Sequence, residues 1–459
     1  MCGGVTTTTS VTYVRETANC CKTENGKVYK QRPFQTKFTT QLIRTDCNLV
    51  NFRDCRSFNI DIYSVQLVMS AFYRRFIPVK SSSLWNATSK AKGKLSELGL
   101  PGATSNNSPV VRDTDNKFTM LTYNILSPAY MWPQVYTYVP EQFKDWKYRH
   151  LLLEKELFQT YKSDIMCLQE LTIRDYNNFW KGNFLEKYSM GSQYISKTAP
   201  SYWKNENDLL DGVGIFYNLN KFDFIHSTGI KLNEYLNNFN KHELKYLQNK
   251  KMDLTDGAGK VTGQSTLLDI LRSKNQVCLF VSLRHKETGT AFVVINTHLY
   301  WKYDDVKLSQ CMIIMRELDK IIKKIKQNHE KEGRPHQQIK ILFTGDLNST
   351  GDSLVINFLK GQILNTNSLN MLNPMRNNLN HCVYDDISQE GLFDYTCYSG
   401  KLKGIFDYIW YHDTDFQLTR ILSGREVTEE LEVRHQFGLP SDTHPSDHIP
   451  LVAEFELLQ

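Results

Sequence analysis

The chain has 459 residues, 41% of them hydrophobic and 12% aromatic, enough apolar material for one large core with an appendage or for two domains. Its best apolar run, residues 62–73, falls short of the roughly 18–20 uninterrupted residues that a membrane helix needs, so no membrane role is expected. The formal charge of +6 is unevenly placed, with 17 Lys and Arg against 8 Asp and Glu in residues 1–117 and 38 against 41 in the rest. A basic arm on a slightly acidic body suits loose contact with RNA or another anionic surface, although a merely solvated arm is the plainer reading.

Residues 1–85 show little periodicity, and 81–110 read as a short basic helix followed by a linker. From residue 118 the texture changes. Residues 118–124 form a strand, 139–161 an amphipathic helix, 164–170 a buried strand and 172–187 a second helix. Residues 218–276, rich in Asn and Lys, read as a long insertion with some helix. Strands are expected at 212–217, 277–285, 291–298, 340–346, 404–412 and 450–457. Apolar positions 308, 311, 314, 315, 318, 321, 322 and 325 fall on one face of a helix over 306–327, and Lys320, Lys323, Lys324 and Lys326 are its wet face. The pattern predicts a mixed α/β layered domain over 118–459, behind a basic, poorly ordered extension over 1–117.

Of ten cysteines, Cys2, Cys20, Cys21, Cys47 and Cys55 crowd the N-terminus. Cys167, Cys278 and Cys311 lie inside apolar runs and read as buried thiols in a reducing compartment. The lack of a CxxC pair argues against a zinc site. The Thr-rich opening has the composition of a transit peptide without its amphipathic helix, so the expected setting is intracellular, cytoplasmic or nuclear in preference to mitochondrial.

The residues that end the strands carry the chemistry. Asn124 closes the first, Glu170 the second, and Asn296 and His298 close 291–298. Asp346 and Asn348, in "ILFTGDLNST", are two apart on an extended chain and so point the same way. Asp407 lies within "GIFDYIWY", and Asp447 and His448 stand just before the last strand. Each alone reads equally well as a turn former or a satisfied polar group. Together they are carboxylates, amides and histidines without an activated Ser or Cys, which does not suit acyl transfer. They do suit metal-assisted hydrolysis of a phosphodiester.

A hard Mg²⁺ ion takes oxygen ligands and keeps several waters, so one or two carboxylates suffice. Glu170 is the anchor, with the Asn124 amide oxygen beside it. Charge on the non-bridging phosphoryl oxygens would be received by Asn348 and by His298 as an imidazolium. Asp346 is placed to orient or deprotonate the attacking water. His448 is the acid/base candidate, its tautomer fixed by Asp407.

The segments "LTYNIL", "DIMCLQE", "DGVGIFY", "NTHLYW", "FTGDLNST", "FDYIWY" and "PSDHIPLVAEF" resemble, in order, the motifs of the endonuclease/exonuclease/phosphatase superfamily. The branch they resemble is that of the carbon-catabolite-repression deadenylases, nocturnin and the nocturnin-like RNA exonucleases of yeasts. The resemblance spans about 118–459 and implies a DNase I-like four-layer sandwich, two packed mixed sheets with helices outside. It implies 3′→5′ exonuclease action on RNA 3′ ends, releasing 5′-mononucleotides, with one or two Mg²⁺ ions, or Mn²⁺ in their place.

It also assigns residues. Glu170, Asn124 and Asp447 match metal-site positions, and Asp346, Asn348, His298, Asp407 and His448 match catalytic ones. Lys197 and Asn275 match phosphate-side contacts; Asn296 and Asp211 belong to shared motifs, Asp211 reading equally as a strand-start turn. The adenine-sandwiching proline and phenylalanine of the deadenylases are replaced by Tyr303 and Leu402, which puts strict poly(A) preference in doubt while leaving Tyr303 able to stack a base. No leucine-rich repeat precedes the domain, so docking to a deadenylase complex by that route is not expected. The same residues would serve a phosphatase acting on a dinucleotide such as NADP, and a non-catalytic RNA-binding relative is the remaining alternative.

Overall fold

A computed structural model describes residues 74–79, 116–201, 203–331, 333, 338–361, 364–366, 369–371, 379–385, 392–400 and 402–458. The basic helix and linker read at 81–110 and the five N-terminal cysteines lie outside the described residues. In chain order the strands are β1 (Phe76–Pro78), β2 (Lys117–Asn124), β3 (Ile165–Thr172), β4 (Met190–Ser196), β5 (Asp211–Asn218), β6 (Phe222–Lys231), β7 (Lys251–Thr255), β8 (Val261–Thr266), β9 (Val277–His285), β10 (Ala291–His298) and β11 (Ile339–Asp346). After these come β12 (Leu364–Thr366), β13 (Leu369–Met371), β14 (His381–Cys382), β15 (Cys397–Ser399), β16 (Leu402–Gly404), β17 (Asp407–Tyr411), β18 (Phe416–Leu422) and β19 (Leu451–Leu457).

They build two mixed sheets, one ordered β1-β18-β19-β2-β3-β5-β4 and the other β14-β17-β11-β10-β9-β6, plus three small hairpin pairs. β2 is parallel to β3 and β10 to β11; the other pairings in the two sheets are antiparallel. This is the layered α/β architecture expected, with helices outside.

The reason for two sheets is visible in β2 and β3. Side chains alternate faces along a strand. Phe118, Met120, Ile165 and Cys167 enter the core between the sheets, whereas Leu121, Tyr123, Met166 and Leu168 pack on the other face with Leu153, Leu157, Trp180 and Phe184 from the covering helices. With both faces covered, the strands read as nearly unbroken apolar runs rather than as alternating ones. Phe118 sits at the centre of the inter-sheet core, its ring 5.6–6.0 Å from those of Phe222, Phe292, Phe416 and Phe455. Truncating such a residue to Ala costs about 3–5 kcal/mol. On the far side of the second sheet the helix Asp304–Lys331 lays down Val306, Cys311, Met315, Leu318 and Ile322.

Several elements depart from the sequence reading. The insertion at 218–276 opens with β6, which closes one edge of the second sheet. Its middle residues are exposed, so it lacks the apolar run of the strands recognised. β4 and β18 were likewise not expected. The helix expected over 139–161 is interrupted at Asp145, which caps Trp146–Lys155 by accepting from Tyr148 N–H at 3.1 Å. The run 404–412 is split between the end of β16 and β17. Finally, β1 lies ahead of the 117/118 boundary and pairs with β18, so the sheet takes in a short segment of the extension.

Candidate active site

Strand register brings the polar residues to one rim. His298 pairs with Asp346 across β10 and β11, and Asp346 pairs with Asp407 across β11 and β17, so three predicted residues form one row on the second sheet. On the first sheet Asn124 is opposite Gln169, and the β3–β5 pairing slips between Gln169 and Leu171. Glu170 stands in that bulge with φ +60°. A bulge re-aims the side chain it carries, at a backbone cost of about 1–3 kcal/mol for a non-glycine residue in the left-handed region. Gly345 is required next to Asp346. Its φ is +142°, and a Cβ there would stand 2.0 Å from the Thr297 carbonyl oxygen.

The two sheets are stitched together by Asn124, whose Nδ2 donates to Glu170 Oε1 and to Asp346 Oδ2, each at 3.0 Å. Ser127 N–H donates to the other Glu170 oxygen at 2.8 Å. Asn348 N–H donates to Asp346 Oδ1 at 2.8 Å, and Asn348 Nδ2 donates to the Leu299 carbonyl at 2.9 Å. His298 lies between the carboxylates, Nε2 3.5 Å from Asp346 and Nδ1 3.9 Å from Glu170. His448 pairs through Nδ1 with Asp407 Oδ2 at 2.8 Å and turns Nε2 to Asp346 Oδ2 at 3.6 Å.

Burial and like charge raise Glu170 to about 7, with Asp211 and Asp447 adding to burial and Asn124 and Lys197 opposing it. Burial likewise raises Asp346 to about 6, against the pull of His448 and with the push of Asp407. Burial lowers His448, but Asp407, Cys397 and Asp346 outweigh it and leave the imidazole well above its usual range. His298 goes the other way, pushed well below its usual range by burial and then by Lys197 and His448.

Buried carboxylates, raised chiefly by burial and further by neighbouring carboxylates, gather at this rim. Carboxylate oxygens of this kind fit a hard divalent cation such as Mg²⁺ or Mn²⁺. Glu170 is the residue that would hold it, with water filling most of the shell.

Asn124, Glu170, His298, Asp346, Asn348, Asp407, Asp447 and His448 are thus gathered at one rim. Lys197 and Asp211 adjoin them as a buried ion pair of 2.7 Å, and Tyr130 OH donates to the second Asp211 oxygen at 2.7 Å. Five of the expected residues have contacts that bear on their assignments. Asn124 turns its nitrogen, not its oxygen, to the carboxylates; its Oδ1 accepts from Leu126 N–H at 3.0 Å. Burial, Lys197 and His448 disfavour the imidazolium form of His298. Asn296 is wholly buried, donating to the carbonyls of Leu168 and Gly214 and accepting from Gln169, so it latches the sheets together and does not face a substrate. Asn275 donates to the Thr198 carbonyl at 2.7 Å, bracing the loop after Lys197. The Tyr303 hydroxyl accepts from Thr255 N–H at 3.3 Å, and the ring packs beside the core.

Asp447 Oδ2 accepts from Tyr136 OH at 2.8 Å, and its charge reaches Glu170. Tyr130, Tyr136 and Arg149 are the supporting residues that the sequence did not reveal. The only signal for the first two is an aromatic-rich loop, "PAYMWPQVYTY", leaving the strand that ends in Asn124.

Comparison with known proteins identifies the family of this fold. The model of the endonuclease/exonuclease/phosphatase family matches residues 121–448, a span that runs from β2 to His448. The chain belongs to this family. It is therefore an enzyme of the phosphoester-hydrolysing kind. It is 60% identical over 387 residues to the RNA exonuclease NGL1 of Saccharomyces cerevisiae, covering 84% of this chain and 100% of that protein. It is 27% identical to the Ccr4 subunit of the CCR4-Not complex of Candida albicans, a 3′-5′-exoribonuclease, over 75% of this chain but only 42% of that protein. Among solved structures, ANGEL2, a 2′,3′-cyclic phosphatase, superposes with a TM-score of 0.54 at 19% identity, covering 78% of this chain and 100% of that one, a likeness of fold.

Proposed function

We propose that the protein is a Mg²⁺-dependent 3′→5′ RNA exonuclease that trims RNA 3′ ends and releases 5′-mononucleotides. The observation that carries this reading is the chain of contacts from Glu170 through His298 and Asp346 to His448 and Asp407. The likeness to a yeast RNA exonuclease along that protein's whole length supports RNA as the polymer.

Asp346, its oxygens aligned by Asn348 N–H and the Asn124 amide, orients the attacking water and takes its proton. The water oxygen bonds to the phosphorus of the last linkage, and the bond to O3′ of the penultimate nucleotide breaks. His448, kept protonated by Asp407, delivers its Nε2 proton to that departing oxygen. The buried His298 Nδ1, 3.9 Å from Glu170, has no hydrogen-bond partner among the described residues, so it is the ring atom left for a phosphoryl oxygen. Glu170 would hold a divalent cation, which would supply Lewis-acid stabilisation of the charge on the phosphoryl oxygens. Lys197, already paired with Asp211, contributes a fixed positive field beside the site rather than a free hand for substrate.

The test is turnover of 5′-labelled and 3′-labelled RNAs of differing sequence, with Mg²⁺, Mn²⁺ or chelator, alongside NADP. A ladder shortening from the 3′ end, with 5′-mononucleotides released and activity lost on chelation, is expected. Product from NADP alone would replace this reading with that of a dinucleotide phosphatase.

A further inference from the structure

Cys397 lies against the catalytic histidine without a part in the hydrolysis. It is the first residue of β15 and forms an isolated bridge with His448. Its Sγ is 4.0 Å from Asp447 Oδ2, and one ligand atom from each of Cys397, Asp447 and His448 falls within 4.8 Å of the others. All three are buried, 2%, 6% and 7% exposed. Of the five described cysteines it alone has a histidine and carboxylates as its charged surroundings; Cys167 is surrounded only by apolar core, and Cys278 and Cys311 face each other. Thiolate, imidazole and carboxylate at this spacing are the donor set of zinc, which binds them at about 2.0–2.3 Å, so closure requires shifts of roughly an ångström. A hard Mg²⁺ ion held by the Glu170 carboxylate has no use for the sulfur. No CxxC spacing announces it, because the ligands are supplied by β15 and by the loop before β19.

We propose that Cys397, Asp447 and His448 form a second metal site, selective for zinc and other thiophilic divalent ions, and that filling it switches the hydrolase off. As the sulfur–metal bond forms, the Sγ proton leaves to solvent; His448 likewise releases its Nε2 proton to solvent, and that nitrogen gives the freed lone pair to the ion while Nδ1 stays on Asp407. His448 then has no proton to deliver. The binding stands on geometry alone; the inhibition rests on the role given to His448 above.

The two are separated by the experiment. The full-length protein is titrated with Co²⁺ as the zinc surrogate, in Mg²⁺ buffer, and the near-ultraviolet thiolate-to-cobalt charge-transfer band is recorded for wild type, Cys397→Ser and Cys397→Ala. Thermal melts confirm that each variant is folded. Wild type is expected to show the band at one equivalent and both variants to lack it; a missing wild-type band, or one that survives in either variant, overturns the site. In parallel, Zn²⁺ inhibition of RNA trimming is measured against each protein's own rate in Mg²⁺. The half-inhibiting Zn²⁺ concentration is expected to rise at least tenfold in Cys397→Ser and not to be restored by excess Mg²⁺ in wild type. Equal inhibition of both proteins overturns the switch. A protein that trims no RNA in any metal fails the exonuclease reading, while the cobalt band still decides the site.

Discussion

At the scale of single residues, the site is a balance between buried charge and the groups that tolerate it. Glu170 is the one carboxylate that Asn124 and Ser127 hold from both sides in a strained bulge. Replacing it with Ala removes the metal anchor, and kcat/KM on RNA should fall by about a thousandfold or more, equivalent to several kcal/mol of barrier. The apparent Mg²⁺ requirement should rise with it, and turnover at the wild-type rate would contradict the assignment. A second buried carboxylate, Glu156, lies under the helices, where it accepts from Tyr123 OH at 2.9 Å. Burial raises it from 4.5 to about 7, against the pull of His444 and the Tyr123 hydrogen bond. A raised carboxylate means that the folded state binds the extra proton between those two values. Stability therefore falls as pH rises through this window, and the full penalty applies above about pH 7. Glu156→Gln keeps an acceptor for Tyr123 and removes the charge. It should stabilise the protein by up to about 3 kcal/mol above pH 7 and by little near pH 4.5. Melting temperatures of the two proteins followed across pH should diverge upward; parallel curves would reject this account.

At the scale of elements, what the sequence made legible was whatever a strand end displays. Asn124, Glu170, His298 and Asp346 could be read because each terminates an apolar run, and the register then places them side by side. Asn296 ends the same apolar run but lies deeper. It is two positions before His298 on the same face, which is about 6–7 Å deeper along the strand, where carbonyls of the opposite sheet take its amide. Depth between two sheets is not written in one strand's pattern. Arg149 was invisible for a related reason, since its partners are remote. It is fully buried in the helix Trp146–Lys155 and donates to the carbonyls of Leu126 at 2.8 Å and Pro445 at 3.0 Å. It thereby pins the loop leaving β2 to the loop entering β19, the two segments that carry Asn124 and His448. Arg149→Met should strand those carbonyls, lower stability by about 3 kcal/mol and reduce kcat as the loops loosen. Both bonds leave Arg149 Nη1, so Arg149→Lys, whose single ammonium can donate to two carbonyls, should recover much of both. A Met variant with unchanged melting temperature and rate would show the pin to be dispensable.

At the scale of the whole molecule, the charge asymmetry and the sheet edge divide the N-terminal region into two parts with different expected roles. The described segment 74–79 belongs to the catalytic fold. Arg74 Nε donates to the Ser423 carbonyl at 2.6 Å, Ser423 N–H donates to the Arg75 carbonyl and Val79 N–H to the Thr419 carbonyl, each at 2.9 Å, and Phe76–Pro78 pair with Arg420–Leu422. Through Arg74 the segment also reaches Tyr161 at 3.5 Å, beside the Glu156 pocket. Residues 1–73 carry 9 Lys and Arg against 5 Asp and Glu, part of the basic excess, and a basic arm acts on RNA through its phosphates, a contribution that salt removes. Deleting residues 1–73 should therefore keep kcat and melting temperature while weakening RNA binding at low ionic strength, the difference shrinking as salt is added. Deleting residues 1–79 should in addition lower the melting temperature, because β18 becomes an open edge and Ser423 and Thr419 lose their partners. Binding isotherms at several salt concentrations and melts of the two truncations distinguish these effects. A first truncation that already melts early would make residues 1–73 part of the folded unit, and equal melting of both would mean that β1 contributes nothing to the sheet it extends.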